Sequence, residues 1–225
     1  MGPRQEPSPV QGPVGAHEGR PARMTPPRIH GHPVPALFPA SGGVSVMLFG
    51  EAPGPRGADQ SGIPFWGDGA GITVYRALAT AGRAEVPEAA WEDWDGARFK
   101  ALGLAPRLRG TALSNAYPAC PTKDGEHFHA PSNRDLLASA NLARLAAELT
   151  RAAAGPAQTL RVIAFGKKAE WVLGRLPEAP PFELHALPHP SAQGLLQGAP
   201  NRGKGLKLMD LRSAWQQRLQ ALLEG

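Results

Sequence analysis

Two acids and an aromatic residue lie in a glycine-rich stretch, residues 50–71, that begins directly after an apolar run. The acids are Glu51 and Asp68, and the aromatic residue is Phe65. Carboxylates can transfer protons and activate water, and an aromatic ring offers a flat face to a planar ligand. The seven glycines of this stretch let the backbone approach a bound molecule closely. The stretch is therefore predicted to be an active-site loop.

Two further polar residues stand at the ends of other apolar runs. Asn115 lies near the end of residues 111–116, and His189 closely follows residues 182–187. The carboxyl ends of parallel strands meet at one edge of a sheet, where open α/β proteins bind ligands. Glu51, Asn115 and His189 are therefore predicted to converge on one crevice, although they are far apart in the chain.

Short apolar runs alternate with helical segments along the chain. Strands are predicted at residues 44–49, 111–116, 160–165 and 182–187, and helices at residues 72–81, from the capping motif at 132–135 to residue 155, at 167–176 and at 206–223. This alternation predicts an α/β fold, a three-layer sandwich with a central, mainly parallel four-stranded sheet flanked by helices.

The first forty residues differ in composition from the rest of the 225-residue chain. They hold ten of the 25 prolines and have almost no periodic apolar pattern. We therefore expect a disordered Pro/Gly-rich tail at residues 1–40 and one α/β domain at residues 41–225. No apolar stretch reaches the roughly 20 residues of a membrane span, so we expect a cytoplasmic protein without a membrane partner.

The formal net charge of +5 is unevenly distributed. An acidic stretch has five acids and no base, and a later basic stretch has four bases and one acid. The acids of the first are Glu85, Glu88, Glu92, Asp93 and Asp95, whereas Arg202, Lys204, Lys207 and Arg212 in the second face only Asp210. The basic edge is compatible with a polyanionic partner and equally with a solvated charged face.

Four short motifs occur in a recognisable order: GEAPG at residues 50–54, GIPFWGDGAG at 62–71, SNAYP at 114–118 and HPS at 189–191. Together they resemble the motifs of the uracil-DNA glycosylase superfamily, most closely its fourth and fifth families. The resemblance spans about residues 44–220. It implies a hydrolase that cleaves the N-glycosidic bond of uracil in DNA during base-excision repair and leaves an abasic site, after extruding the nucleotide from the duplex.

The resemblance also implies roles for individual residues. Phe65 would stack on the base, with a plain core position as the alternative. Asn115 would donate to uracil O4 and accept from N3–H, a pattern that cytosine reverses, unless it only closes a turn. His189 would donate to O2 as negative charge develops there, unless it is purely structural. The remaining substrate-binding candidates are Gly50, Ala52, Gly54 and Ser191.

The acid that activates water is ambiguous. Glu51 matches the acid of the fourth family, and Asp68 matches that of the fifth, with Glu51 slightly favoured. On the DNA side, Leu195 or Leu196 is predicted to enter the duplex while Arg202 and Lys204 contact phosphates. Packing of both leucines onto the last helix is an equal alternative.

Some features depart from the families. The fourth and fifth families hold an iron–sulfur cluster on four cysteines, but this chain has only Cys120, so no cofactor is expected. Cys120, His127 and His129 match no standard zinc spacing, so no metal is expected. Ala52 and Gly54 stand where the first family has an aspartate and a thymine-excluding tyrosine, which leaves open the exclusion of thymine.

The expected partner is thus uracil-containing DNA, single- or double-stranded, bound by a monomer. Two other functions remain open at this point. One is a non-catalytic DNA-binding relative of the fold, and the other is a hydrolase of free nucleosides or nucleotides.

Overall fold

The computed structural model describes residues 1–2, 29–124, 126–154 and 159–224. Its strands are β1 (Ile29–His30), β2 (Val46–Gly50), β3 (Ala84–Glu85), β4 (Arg107–Leu108), β5 (Thr111–Asn115), β6 (Pro121–Thr122), β7 (Leu160–Phe165) and β8 (Phe182–Leu187). Its helices are α1 (Ala58–Ser61), α2 (Gly71–Thr80), α3 (Glu88–Glu92), α4 (Gly96–Leu102), α5 (Asn133–Leu136), α6 (Ser139–Ala153), α7 (Lys167–Leu173), α8 (Ala192–Gly198) and α9 (Leu208–Glu224), with a 3-10 turn at Pro200–Gly203.

The central sheet has four strands in the order β5-β2-β7-β8, and every neighbouring pair is parallel. Strands β2 and β5 are buried along their whole length, because both faces of the sheet carry helices. Gly50 pairs with Asn115, and Phe165 pairs with Leu187, so these residues lie at the carboxyl edge of the sheet. The predicted three-layer α/β fold is confirmed.

Alternate side chains of the central strands supply two apolar layers. Leu48 lies in one layer, together with Tyr75 of α2 and Trp215 of α9. Its neighbour Met47 lies in the other layer, with Leu145 of α6. This alternation follows from the two-residue period of a strand, and it fixes the sheet between the two sets of helices.

The helix predicted from residue 132 to 155 is divided into α5 and α6. Ser132 caps α5 in a reciprocal capping box with Asp135, as its sequence indicates. The chain then becomes extended at Ala138 before α6 starts. The polar and apolar pattern continues across this break, so the sequence pattern alone does not reveal where α5 ends and α6 begins.

Residues 29–40 pack against the domain. Strand β1 pairs antiparallel with β6, the Val34 amide donates to the Pro118 carbonyl (2.8 Å), and Leu37 bridges to Leu113. Val34 is buried, and Leu37 and Phe38 pack partly buried against the apolar clusters, so packed residues precede the boundary predicted at residue 41. The disorder predicted for the rest of the tail concerns residues 3–28, which lie outside the described residues.

In the described part of the chain, none of the helices combines the length and apolar character needed to cross a bilayer.

Two arginines fix the carboxyl end of α9 to the start of the sheet. Arg83 donates to the Leu223 carbonyl (2.6 Å) and to Ser45 Oγ (3.0 Å). Arg161 of β7 donates to the Leu222 carbonyl (2.8 Å). The last carbonyls of a helix have no partner within the helix, and they carry partial negative charge. The two guanidinium groups satisfy them and hold α9 in place.

We predict that Arg83→Met lowers the free energy of unfolding by about 1 to 3 kcal/mol, since it removes charge-assisted bonds and leaves a carbonyl unpaired. The control is Arg109→Met, because Arg109 forms an exposed ion pair with Glu85. That change should cost less than about 1 kcal/mol. Urea unfolding of both variants tests the prediction, and equal losses would contradict it.

Candidate active site

The glycine-rich loop rests on a cluster of aromatic side chains. Trp66 is fully buried, and its ring contacts those of Tyr75 (centroids 4.8 Å apart), Trp94 (4.9 Å) and Phe99 (4.5 Å). Trp66 Nε1 also donates to the Leu104 carbonyl (2.9 Å). These contacts fix the backbone of the loop against the core, so its polar side chains keep defined positions.

Phe65 adopts a left-handed backbone conformation, with φ at +63°. This conformation is strained for an aromatic residue and is typical of functional sites. The strain is tolerated because the Tyr75 hydroxyl donates to the adjacent Pro64 carbonyl (3.0 Å), and because Gly71 leaves room for the Phe65 carbonyl. The ring packs edge-on against Phe165, with centroids 5.7 Å apart, and also lines a cleft.

That cleft has a volume of about 760 Å³ and lies beyond the carboxyl ends of the central strands. It gathers seven of the nine residues that the sequence analysis assigned to catalysis or substrate binding: Glu51, Ala52, Gly54, Phe65, Asp68, His189 and Ser191. The other two, Gly50 and Asn115, lie at the end of the paired strands β2 and β5. A Cβ atom at position 50 would lie 2.5 Å from Asn115 Oδ1 and 2.8 Å from the Phe65 ring. Gly50 therefore brings the carboxamide and the ring together.

Helix α6 positions Asn115 through its backbone. Arg144 donates to the Asn115 carbonyl (2.9 Å), and Asn141 donates to the Ala116 carbonyl (3.0 Å). Arg144 is itself paired with Glu148 (2.6 Å). The Nδ2 of Asn115 is buried and donates to none of the described residues. A buried donor without a partner is costly, so it is a group suited to a ligand.

His189 is held in one tautomer. The Ser191 amide donates to its Nδ1 (3.3 Å), which leaves the proton on Nε2. Burial lowers the pKa of His189 to about 4, so the imidazole is neutral at physiological pH. Trp215 fixes the preceding turn by donating from Nε1 to the Pro188 carbonyl (2.8 Å). The cleft therefore contains a neutral imidazole whose Nε2–H can donate.

The neighbour Ser191 has a local structural role. Its Oγ accepts from the Gly194 amide (3.1 Å) and so caps the N-terminus of α8. The residue also lines the cleft, as expected of a substrate-binding candidate.

The two candidate acids differ in their surroundings. The Asp68 carboxylate accepts hydrogen bonds from the backbone amides of Gly54 and Ala58, and a Cβ at position 54 would overlap it. Burial nevertheless raises the pKa of Asp68 to about 6. Asp68 thus braces the glycine-rich loop and fills the space of any side chain at position 54.

Glu51 is the less engaged of the two acids. Its Oε1 is buried and accepts no hydrogen bond from the described residues. Burial raises the pKa of Glu51, and the positive charge of Lys168 opposes this effect. The Glu51 carbonyl accepts from the Tyr117 amide (2.9 Å), which fixes its backbone beside β5. Glu51 is therefore the acid with an oxygen available to a water molecule.

Of the two alternatives for Leu195, insertion into DNA or packing onto the last helix, the structure shows packing. Leu195 is only 4% exposed and belongs to the same apolar cluster as Trp215 and Leu219 of α9. Residues 192–198 form helix α8, and the apolar side of this helix faces the core. Leu195 lies on that side and is therefore packed rather than exposed. Leu196 is half-buried, with its side chain against Gly203. Arg202 and Lys204 are exposed on and beside the turn Pro200–Gly203, outside the lining of the cleft.

The cleft also contains residues to which the sequence analysis gave no site role. Phe128, His129 and Lys168 line it, as do Gln193 and Gln197 of α8. Lys168 had a local signal, since it lies two residues after Gly166, the glycine that follows β7, whereas no pattern marked Phe128. No three His, Cys, Asp or Glu side chains among the described residues are grouped to hold a metal ion. The four-cysteine cluster of related families does not fit a chain with one cysteine.

The structure is that of an α/β protein with a cleft at the carboxyl edge of a parallel sheet. The sequence model of the Uracil DNA glycosylase superfamily matches residues 38–212, and the chain therefore belongs to this superfamily. DNA glycosylase chemistry, with DNA as the partner, is the general activity of its members.

Among solved structures, the chain is similar to wild-type SMUG2 of Pedobacter heparinus. The identity is 14%, the alignment covers 81% of this chain and 77% of that chain, and the TM-score is 0.48. A comparison with curated proteins gave no match.

We predict that Asp68 makes stability depend on pH. Its folded-state pKa of about 6 exceeds the ordinary 3.8, so between these values the folded protein binds a proton that the unfolded chain does not. Relative to Asp68→Asn, the wild type should gain about 2 to 3 kcal/mol as the pH falls from 7 to 4.

Urea unfolding across this pH range tests the prediction, with the exposed Asp93→Asn as the control for a lost carboxylate. Parallel curves for wild type and Asp68→Asn would contradict a buried, raised Asp68.

Proposed function

We propose that this protein hydrolyses the N-glycosidic bond of uracil in DNA and leaves an abasic site. The proposal rests mainly on three groups at one edge of the sheet: the Nδ2 of Asn115 and the Oε1 of Glu51, both without a partner among the described residues, and the Nε2–H of His189. Two of these are buried polar atoms that a bound base and a water molecule would satisfy.

Base recognition is assigned to Asn115 and Phe65. The Nδ2 of Asn115 donates to uracil O4, and its Oδ1 accepts from N3–H. Cytosine presents a donor and an acceptor in the reverse order, so it would leave both pairs mismatched. Phe65, fixed beside Asn115 by the space at Gly50, supplies the stacking face.

Bond cleavage is assigned to His189. As the bond between C1′ and N1 lengthens, its electrons move onto uracil and negative charge develops on O2. The Nε2–H of His189 donates to that oxygen. A donor fixed in a buried site is worth about 100- to 1,000-fold in rate, because it needs no reorganisation when the charge appears. The low pKa of His189 keeps this donor neutral across the physiological range.

Water activation is assigned to Glu51. Its carboxylate takes a proton from the water molecule whose oxygen bonds to C1′, and it also stabilises the positive charge on the sugar. The nearby ammonium of Lys168 favours the ionised carboxylate. Asp68 is assigned the positioning of the loop, since two backbone amides already donate to its carboxylate.

Contact with the DNA phosphates is assigned to lysines beside the cleft. A second cleft of about 410 Å³ shares Glu51, Lys168 and His189 with the first and is also lined by Lys167. These lysines bring positive charge next to the reacting bond, and the chain as a whole carries +5. Such cations attract phosphates, with an affinity that falls as salt rises.

The decisive experiment is uracil release from single- and double-stranded oligonucleotides, detected by alkaline cleavage at the abasic site. We expect release by the wild type and at least a 100-fold lower single-turnover rate for Glu51→Gln, because the variant cannot take the proton. The single-turnover rate of Asp68→Asn should fall by a smaller factor. A full rate for Glu51→Gln would reassign the acid.

The same experiment separates the rival functions. Tight, salt-sensitive binding without release would indicate a non-catalytic DNA-binding relative, and turnover of free deoxyuridine alone would indicate a nucleoside hydrolase. Thymine and hypoxanthine substrates measure how far the range extends beyond uracil.

We predict that Asn115→Asp lowers the ratio of uracil to cytosine release by at least about tenfold, because an oxygen replaces the donor that pairs with O4. The control is Asn133→Asp, an exposed residue of α5. Parallel release assays on uracil and cytosine oligonucleotides measure the ratio. An unchanged ratio would show that Asn115 does not read the base.

A further inference from the structure

Phe128 is a large aromatic residue that remains 41% exposed. The other large hydrophobic residues exposed in the described part of the chain are Met1, Leu102, Leu137, Leu206 and Met209. Of this set, Phe128 is the one that lines the main cleft. An exposed aromatic ring at the rim of a ligand cleft is costly in water, and it becomes favourable once a flat partner covers it.

The backbone around Phe128 is well fixed. Phe128 bridges antiparallel to Thr122, and the His129 amide donates to the Pro121 carbonyl (2.8 Å). Asp124 accepts from the amides of Glu126 (2.9 Å) and His127 (2.8 Å), and these bonds hold its pKa well below the usual range. The ring is therefore presented from a braced segment, so little backbone entropy is lost when it binds.

Among the described residues that line the cleft, no other large apolar side chain is exposed. Helix α8 lines it with Gln193 and Gln197, whereas Leu195 points into the core and Leu196 is half-buried against Gly203. An extruded nucleotide leaves the neighbouring base with one face uncovered. In the described part of the cleft rim, the exposed group suited to cover that face is Phe128.

We propose that Phe128 stacks on the base next to the extruded nucleotide and so stabilises the DNA in its bound, unstacked form. This inference rests on the proposed function, since it assumes a nucleotide in the cleft. Every base has a flat face, so the contact strengthens binding without reading sequence. Phe128 is thus a binding residue, distinct from Asn115, His189 and Glu51, which act on the reacting nucleotide.

The test uses an oligonucleotide with 2′-fluorodeoxyuridine, whose glycosidic bond resists cleavage, and with 2-aminopurine on either side of it in separate strands. This purine fluoresces more strongly when unstacked. The proteins are wild type, Phe128→Ala, Phe128→Trp and the control Leu137→Ala, a change at an exposed apolar residue (42%) of the surface outside the cleft. Thermal unfolding verifies that each variant folds.

For Phe128→Ala we expect affinity about 5- to 100-fold weaker, together with brighter 2-aminopurine on one side in the saturated complex. Phe128→Trp should restore affinity, and Leu137→Ala should match the wild type. If saturated Phe128→Ala complexes are as dim as the wild type on both sides, the proposal is overturned, whatever the affinity.

Uracil release by the wild type is measured in parallel with a cleavable strand. Release together with a fluorescence that is insensitive to Phe128→Ala overturns the stacking role alone. A Phe128-dependent fluorescence without release overturns the proposed function and leaves the stacking role standing.

Discussion

The site depends on a close approach that only glycine allows. Gly50 ends β2 opposite Asn115 in β5, and its missing side chain lets the Asn115 carboxamide and the Phe65 ring reach the same Cα atom. The pairing continues as the Ala116 amide donates to the Gly50 carbonyl (2.8 Å). Asp68 braces the loop that carries Phe65, whose backbone has a positive φ, and α6 supports Asn115 from the other side. These contacts hold the ring and the carboxamide next to Gly50. The rest of the cleft is built around it.

Burial also sets the protonation states in the cleft. It raises the pKa of Asp68 to about 6 and lowers that of His189 to about 4, because in both groups the charged form loses hydration. On acidification from about pH 6 to 4 the two groups act on stability in opposite directions, since the folded state favours proton uptake by Asp68 and opposes it at His189. At neutral pH the imidazole is uncharged and Asp68 is mostly ionised. A neutral imidazole and a carboxylate therefore line the same cleft.

Local patterns were enough to predict the layers of the fold and most of the cleft. The four apolar runs correspond to the four parallel strands of the sheet. Because ligand sites lie beyond the carboxyl ends of such strands, Glu51 and His189 were expected in one cleft, which both residues line. What the sequence did not reveal depends on tertiary contacts. Leu195 looks the same in sequence whether it faces DNA or α9, and the ties from Arg144 to the backbone of Asn115 join residues with no local signal. Phe128 lies outside every periodic element, so its exposure follows only from the folded loop.

Helix α9 connects the two ends of the sheet. Its last carbonyls are held by Arg83 and Arg161, and its Trp215 holds the Pro188 carbonyl just before His189. The backbone position of His189 is therefore linked, through α9, to the contacts of Arg83 and Arg161 at the opposite edge of the sheet. The final turn of α9 lies outside the cleft, yet it belongs to the same helix as the indole that fixes the turn before His189.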